Sequence, residues 1–180
     1  LDAAWWFNEA EGYPLRGTGV RVRSLDEVFA TWSNIRFNLD LKDPNLEWPI
    51  ADLVKRHGRE RTTLVASFVD HRTAKFRRIT RGTVAVSAGP SATAVILAAS
   101  RVGATVRRPV VAYQLPFDYR SCPIDAKLVR AIHAAGAQLH TWTVNEVADM
   151  DRLLDLGVDG IVTDRPDVLN EVMRRRGHDI

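Results

Sequence analysis

Apolar residues recur along the chain with two alternating periods. Short runs rich in β-branched residues are typical of strands, and apolar residues three or four positions apart are typical of helices. The runs predict six strands, near residues 37–42, 63–68, 83–87, 110–115, 137–142 and 160–163. The helical spacing predicts helices near residues 24–32, 48–57, 70–81, 92–100, 125–135, 147–156 and 166–176. This order predicts a parallel α/β sheet covered by helices.

The segment 137–166 is the clearest strand–helix–strand unit. Its first strand ends in Trp142, and Gly157 stops its helix. Ligands are handled at the carboxyl ends of strands in α/β folds, so these strand ends are candidate site positions. Asn145 and Asp164 each stand just before a helix, and we expect them to cap those helices rather than bind a ligand.

A second informative segment is the strictly alternating strand 37–42. Its apolar and polar side chains fall on opposite faces, with Phe37, Leu39 and Leu41 on one and Asn38, Asp40 and Lys42 on the other. One explanation is an edge strand with a solvated face. We favour a barrel strand whose polar face enters a catalytic mouth, because Asp40 and Lys42 stand at its carboxyl end.

Composition narrows the classes of protein. The 180 residues suit one sizeable domain, and the net charge of +3 comes from dispersed arginines, which disfavours a nucleic-acid groove. The single cysteine, Cys122, excludes an internal disulfide framework. No motif pairs it with a histidine, so we do not expect it to be a nucleophile. No apolar run is long enough for a transmembrane segment, and the cell compartment stays open.

The strand count predicts an incomplete TIM (β/α)8 barrel. Six strands, an extra leading helix and a start at Leu1 without Met fit a single partial domain over residues 1–180 that lacks the first two of eight strands. Residues 1–23 would be a surface excursion, and residues 24–180 would be barrel units three to eight. An open doubly wound sheet is the alternative, but no glycine-rich phosphate fingerprint follows any strand. A truly truncated barrel would expose two sheet edges and could oligomerise through them.

Several segments resemble the glycerophosphodiester phosphodiesterase family. Residues 140–145 (HTWTVN) and 156–166 (LGVDGIVTDRP) closely resemble its C-terminal signature. Residues 38–42 (NLDLK) resemble its strand ending in Glu-x-Lys, and residues 66–68 (ASF) its Ser-Phe strand end. Residues 16–28 resemble the segment before its second helix. The matches occur in order along essentially the whole chain, so the combination is specific.

The resemblance implies a TIM barrel that hydrolyses glycerophosphodiesters to glycerol 3-phosphate and an alcohol, with one divalent ion, Mg²⁺ or Ca²⁺. It also implies a His-Arg pair, a Glu-x-Asp pair and a second histidine, all upstream of the segments matched here. We therefore expect no catalytic residue in this chain and expect the chain alone to be inactive. Other phosphodiesterases on the same barrel, such as a phospholipase D-like toxin or a phosphoinositide phospholipase, are a weaker alternative.

Five residues are predicted to form the site. Asp40 stands where the family has a metal-ligating glutamate, and hard cations prefer oxygen ligands. By the same resemblance Lys42 would reach the phosphate and Trp142 would pack on the glycerol or the leaving group. Gln114 and Phe68 would line the site.

Each assignment has an alternative. Asp40 and Lys42 could be only an internal ion pair, and Trp142 could be a core aromatic. Asp40 is one methylene shorter than the family's glutamate, which favours a second function: a non-catalytic barrel that binds phosphorylated ligands or a partner. We expect His140 to point inward and the other four histidines to be exposed, namely His57, His71, His133 and His178.

Overall fold

The computed structural model describes residues 3–118 and 124–178, in which six strands alternate with α-helices. The strands are β1 (Phe37–Asp40), β2 (Thr63–Ala66), β3 (Ala85–Val86), β4 (Ala112–Pro116), β5 (Gln138–Trp142) and β6 (Gly160–Ile161). The helices are α1 (Leu25–Thr31), α2 (Glu47–Arg56), α3 (Asp70–Ile79), α4 (Pro90–Val102), α5 (Ala126–Ala134), α6 (Val147–Asp155) and α7 (Pro166–Arg175). Two short 3₁₀ helices, Ala3–Trp6 and Glu9–Glu11, precede α1.

The strands form two parallel three-stranded sheets that meet edge to edge. The orders are β1–β2–β3 and β4–β5–β6. A bridge between Ser87 and Ala112 joins them, and the Val111 amide donates to Val86 O at 2.9 Å beside it. Within the described residues β1 and β6 do not pair, so the barrel is not closed. The α/β class and the six parallel strands are confirmed.

The core divides in the same way as the sheet. Within the described part of the chain, eight buried residues pack around β1–β3, including Phe29, Val65 and Phe76. Fifteen pack around β4–β6, including Leu139 and Leu153. Of the residues that the structure describes, only partly buried Val110, at the junction, packs against both clusters. The apolar face predicted by alternation in residues 37–42 packs on the first cluster, with Leu41 buried and Phe37 and Leu39 half-buried.

All six predicted strands and all seven predicted helices are present, and their ends differ by a few residues. The capping box of α1 is present: Glu27 N donates to Ser24 Oγ, and Ser24 N donates to the Glu27 carboxylate. Hydrogen bonds from Arg21 and then from Ser24 lower the pKa of Glu27 to about 2. The strands are shorter than predicted. The strand expected at residues 83–87 is reduced to β3, because only Ala85 and Val86 pair with β2.

Two predicted helix caps are wrong. Glu146 and Arg165 occupy the N-cap positions of α6 and α7, and neither makes a side-chain cap. The Asn145 amide oxygen instead accepts from Asp164 N at 2.9 Å and from Thr163 Oγ1 at 3.0 Å. Asn145 and Asp164 therefore tie together the loops after β5 and β6, a long-range use that local sequence spacing does not encode.

The histidine prediction holds for three of four residues. His57 is half-buried, because its ring packs edge-on against Phe29 with centroids 5.6 Å apart and its Nε2 lies 2.8 Å from Asp26 Oδ1. The other three are exposed as expected. Cys122 lies outside the described residues.

Candidate functional site

A cleft of about 650 Å³ opens at the carboxyl ends of the strands. All five predicted site residues line it, although their roles remain predictions. Asp40 and Lys42 come from the end of β1, Phe68 from the loop after β2, and Gln114 and Trp142 from β4 and β5. Other lining residues are Asn38, Ser87, Thr93, Pro116, Thr143 and Val162. The strand alternation already pointed to Asn38, and Thr143 and Val162 lie in the segments that resemble the family. Ser87, Thr93 and Pro116 belong to no such motif.

Asp40 and Lys42 form an ion pair inside the cleft. The Lys42 Nζ atom lies 2.6 Å from Asp40 Oδ2, and the two side chains are 69% and 31% exposed respectively. At that exposure the pair contributes under about 1 kcal/mol to folding, because water screens it. β1 is an edge strand of the described sheet, yet its polar face lines the cleft, so both explanations of its alternation describe part of the geometry. Moving Lys42 from Asp40 to a bound anion would therefore cost little folding free energy.

An aromatic wall crosses the cleft from one sheet to the other. The Lys42 Nζ atom lies 5.0 Å from the centroid of the Phe68 ring. Phe68 in turn meets Trp142 edge to face, with centroids 5.9 Å apart and planes at 88°. This contact brings the ends of β2 and β5 together, which requires the six-stranded array to be curved. The wall presents apolar surface beside a cation.

Two side chains fix the carboxyl end of β1, and the sequence analysis missed one of them. Ser67 Oγ donates to Leu41 O at 3.1 Å and accepts from Val69 N at 3.2 Å. Arg72 Nη1 donates to Leu41 O at 3.0 Å and to Lys42 O at 2.6 Å. Arg72 stands on α3 without a recognisable motif, so only the fold reveals that it holds the backbone that carries Lys42.

His140 points inward, as expected, but lies beneath the cleft instead of lining it. Its Nδ1 is 3.4 Å from Gln114 Nε2, and its Nε2 is 3.3 Å from Gln138 Oε1. Burial lowers the pKa of His140, against a smaller raising effect of Asp159. A neutral ring suits both contacts, with Nδ1 accepting from Gln114 and Nε2–H donating to Gln138. A Cβ at Gly160 would crowd the ring, so glycine there makes room for it.

The described residues do not make up a metal centre. No group of three His, Cys, Asp or Glu side chains converges within residues 3–118 and 124–178. Mg²⁺ and Ca²⁺ take six or more oxygen ligands, whereas the cleft offers one carboxylate, Asp40, which already contacts Lys42. The residues lining the cleft also include no histidine. Along the described chain, no helix combines the length and apolarity needed to cross a membrane.

Comparison with known proteins gives a consistent answer. The sequence model of the glycerophosphoryl diester phosphodiesterase family matches residues 8–168. A probable glycerophosphodiester phosphodiesterase 2 from Mycobacterium tuberculosis is 34% identical over 167 residues, which are 89% of this chain and 63% of that protein. The chain thus spans less than two thirds of this relative's length.

Solved structures agree on the fold. A glycerophosphoryl diester phosphodiesterase domain from Mycobacterium tuberculosis superposes with a TM-score of 0.76 at 19% identity, covering 97% of this chain and 72% of that one. A phosphodiesterase from Oleispira antarctica, solved in complex with its product sn-glycerol-3-phosphate, gives 0.64 at 20% identity, covering 83% and 60%. The family match and the shared fold lead to one conclusion: the chain belongs to the glycerophosphoryl diester phosphodiesterase family.

Proposed function

We propose that the cleft binds the glycerol phosphate part of a glycerophosphodiester, and that the protein containing this chain hydrolyses that diester. The observation that carries the proposal is the position of Lys42 between the Asp40 carboxylate and the aromatic wall of Phe68 and Trp142. Family membership and the bound product of the Oleispira antarctica enzyme support the choice of ligand.

The lining side chains suit the two chemical parts of this ligand. The Lys42 ammonium would donate to a phosphate oxygen and offset its negative charge. Asp40, released from Lys42, would accept a hydrogen bond from a glycerol hydroxyl or supply one oxygen ligand to a divalent ion. The rings of Phe68 and Trp142 would pack on the glycerol carbons, which requires no further polar partner. Gln114, held from below by His140, would present its remaining amide atoms to the ligand.

Turnover needs groups that these cleft residues do not include. Hydrolysis adds a water oxygen to phosphorus and breaks the bond between phosphorus and the alcohol oxygen. A general base must take the proton of the water, and a general acid must protonate the leaving oxygen. We assign both roles, and the remaining ligands of a Mg²⁺ or Ca²⁺ ion, to parts of the whole protein beyond the residues described.

A second candidate is binding without turnover. It is favoured by the histidine-free cleft and by a carboxylate already paired with a lysine. Both candidates predict binding of glycerol 3-phosphate, and they differ in whether the whole protein releases it from glycerophosphocholine in an EDTA-sensitive reaction. Release would support the enzyme, and binding without release would support the non-catalytic alternative.

Titration calorimetry with glycerol 3-phosphate tests the shared claim on this chain. Lys42→Met should weaken binding by roughly ten-fold, because it removes one charge-assisted hydrogen bond in a partly solvated site. Lys127→Met, on the exposed surface of α5, is the matched control and should leave affinity unchanged. Equal affinities of the two variants would contradict the role of Lys42, and no binding by the unaltered chain would contradict the proposed ligand.

A further inference from the structure

A second groove, lined by arginines, runs between α3 and α4 on the helix-covered side of β3. It encloses about 700 Å³. Its basic lining residues are Arg77, Arg78, Arg81 and Arg108. Its apolar lining residues are Ala74, Val86, Ala92, Val95, Pro109 and Val110. This groove combines several basic groups with apolar side chains. It differs in this from the cleft at the carboxyl ends of the strands, where a single lysine faces aromatic rings.

The arginines of the groove lack acidic partners. Within residues 3–118 and 124–178, no ion pair or hydrogen bond involves the guanidinium group of any of the four, whereas Lys75 on the same helix pairs with Glu47 at 3.1 Å. The one lining carboxylate, Asp70, accepts hydrogen bonds from Ser91 N at 3.1 and 3.3 Å and contacts none of the four guanidinium groups. With four arginines and one carboxylate, the groove therefore carries a net positive charge.

Helix electrostatics explain only part of this cluster. Arg77 and Arg78 lie in the last turn of α3, where cations offset the helix dipole. Arg81 follows the end of that helix, and Arg108 reaches the groove from the segment before β4. Arginines from two separate segments thus converge on one concave surface, and a guanidinium is the side chain best matched to the paired oxygens of a phosphate.

The shape and lining select the class of ligand. A volume of this size is in the range of small-molecule sites and is too small for a docked helix or domain. No aromatic side chain is among the lining residues, so bases of a single-stranded nucleic acid would find no stacking platform. Val95, Pro109 and Val110 are at least partly exposed and instead provide a surface for an alkyl chain.

We propose that this groove binds a single-chain amphiphile that carries a phosphate group. The phosphate contacts the guanidinium groups of Arg77, Arg81 and Arg108. The alkyl chain lies along Val95, Pro109 and Val110. This site is independent of the function proposed for the cleft, because none of these six residues lines the cleft.

Three probes separate the chemistry of the head group from that of the chain. Dodecyl phosphate below its micellar concentration carries both parts, inorganic phosphate carries only the anion, and dodecyl maltoside carries only the chain. Amide NMR titration should show dodecyl phosphate shifting Ala74, Arg77 and Val95, with an affinity at least roughly ten-fold above either single-part probe. Inorganic phosphate or dodecyl maltoside binding the groove as tightly as dodecyl phosphate would overturn the proposal.

Charge-matched variants test the arginines. Arg77→Gln combined with Arg81→Gln should weaken dodecyl phosphate binding by roughly ten-fold and reduce its salt dependence. Arg130→Gln combined with Arg174→Gln removes the same charge from α5 and α7 and should change affinity less than two-fold. Arg108→Gln, outside any helix, tests the site if the first double variant does not fold. Equal effects of the two double variants, shifts confined to Phe68 and Trp142, or tighter binding of a glutamate-rich peptide would each overturn the proposal.

Discussion

The two halves of the molecule differ in the size of their buried core and in the charged groups that they supply to the cleft. The half built on β1–β3 has eight buried core residues and supplies Asp40 and Lys42 to the cleft. The half built on β4–β6 has fifteen and supplies Gln114 and Trp142. The contacts that join them include the Ser87–Ala112 bridge, the Phe68–Trp142 ring contact and the hydrogen bonds from Ser91 N to Asp70. The cleft is therefore formed at a junction, and its charged groups lie on the half with the smaller buried core.

The largest expected effect comes from the core of the second half. Leu139→Ala should lower the free energy of unfolding by about 3 kcal/mol, since Leu139 is fully buried in β5. Urea denaturation measures the loss, and amide hydrogen exchange should accelerate in both halves. Leu41→Ala, at the equally buried leucine after β1, should accelerate exchange mainly in residues 25–87.

The control for both is Val102→Ala, whose side chain is 79% exposed, and which should change stability by less than about 0.5 kcal/mol. Uniform acceleration of exchange in Leu41→Ala would contradict the division into two halves, because it would mean that the first half does not open on its own.

The next effect tests the junction. A Cβ at Gly89 would collide with the carboxylate of Asp70, which accepts from Ser91 N and so ties α3 to the start of α4. Gly89→Ala should therefore cost about 2 kcal/mol, as overpacking does where the neighbour is held in place. Ser91→Ala keeps the amide donor and is the matched control. Thermal unfolding compares the two, and equal melting temperatures would show that this tie does not matter.

A smaller effect depends on pH and lies in the first half. Burial alone would raise the pKa of Glu47, but hydrogen bonds from its own backbone N–H and from Lys75 outweigh burial and hold the pKa below its usual value. The charged form therefore stabilises the fold above the unfolded-state pKa of about 4.3, and this contribution is lost as pH falls through the folded-state pKa.

Glu47→Gln should accordingly cost about 1 kcal/mol at neutral pH, because Lys75 stays partly solvated, and the cost should shrink at pH about 3. Urea denaturation at both pH values measures this change. Glu171→Gln, exposed on α7, should show no such difference. A cost for Glu47→Gln that does not vary with pH would mean that the ion pair contributes nothing.

The parts of the fold that depend on periodicity and on short motifs could be predicted from the sequence. Alternation in 37–42 predicted the polar face that now lines the cleft, and the capping box at Ser24 predicted the start of α1. Both signals are local, because a few neighbouring residues determine them. The family resemblance added Asp40, Lys42 and Trp142 as site candidates, and they lie in one cleft.

The parts that could not be predicted depend on contacts between distant residues. Arg72 reaches back 30 and 31 positions to the carbonyls after β1. Asn145 binds the loop after β6 rather than its own helix. The dispersed arginines favoured a solvated surface from the sequence alone, yet four of them line one groove because α3 and the segment before β4 approach each other. No local sequence pattern encodes these contacts between distant residues.

Whether the cleft binds glycerol 3-phosphate can be tested by an amide NMR titration of this chain with that ligand. If the cleft binds this ligand at the junction, amides near Lys42 and Phe68 in the first half and near Gln114 and Trp142 in the second half should shift together with a single dissociation constant. Shifts confined to one half, or the absence of shifts at all four positions, would contradict the account.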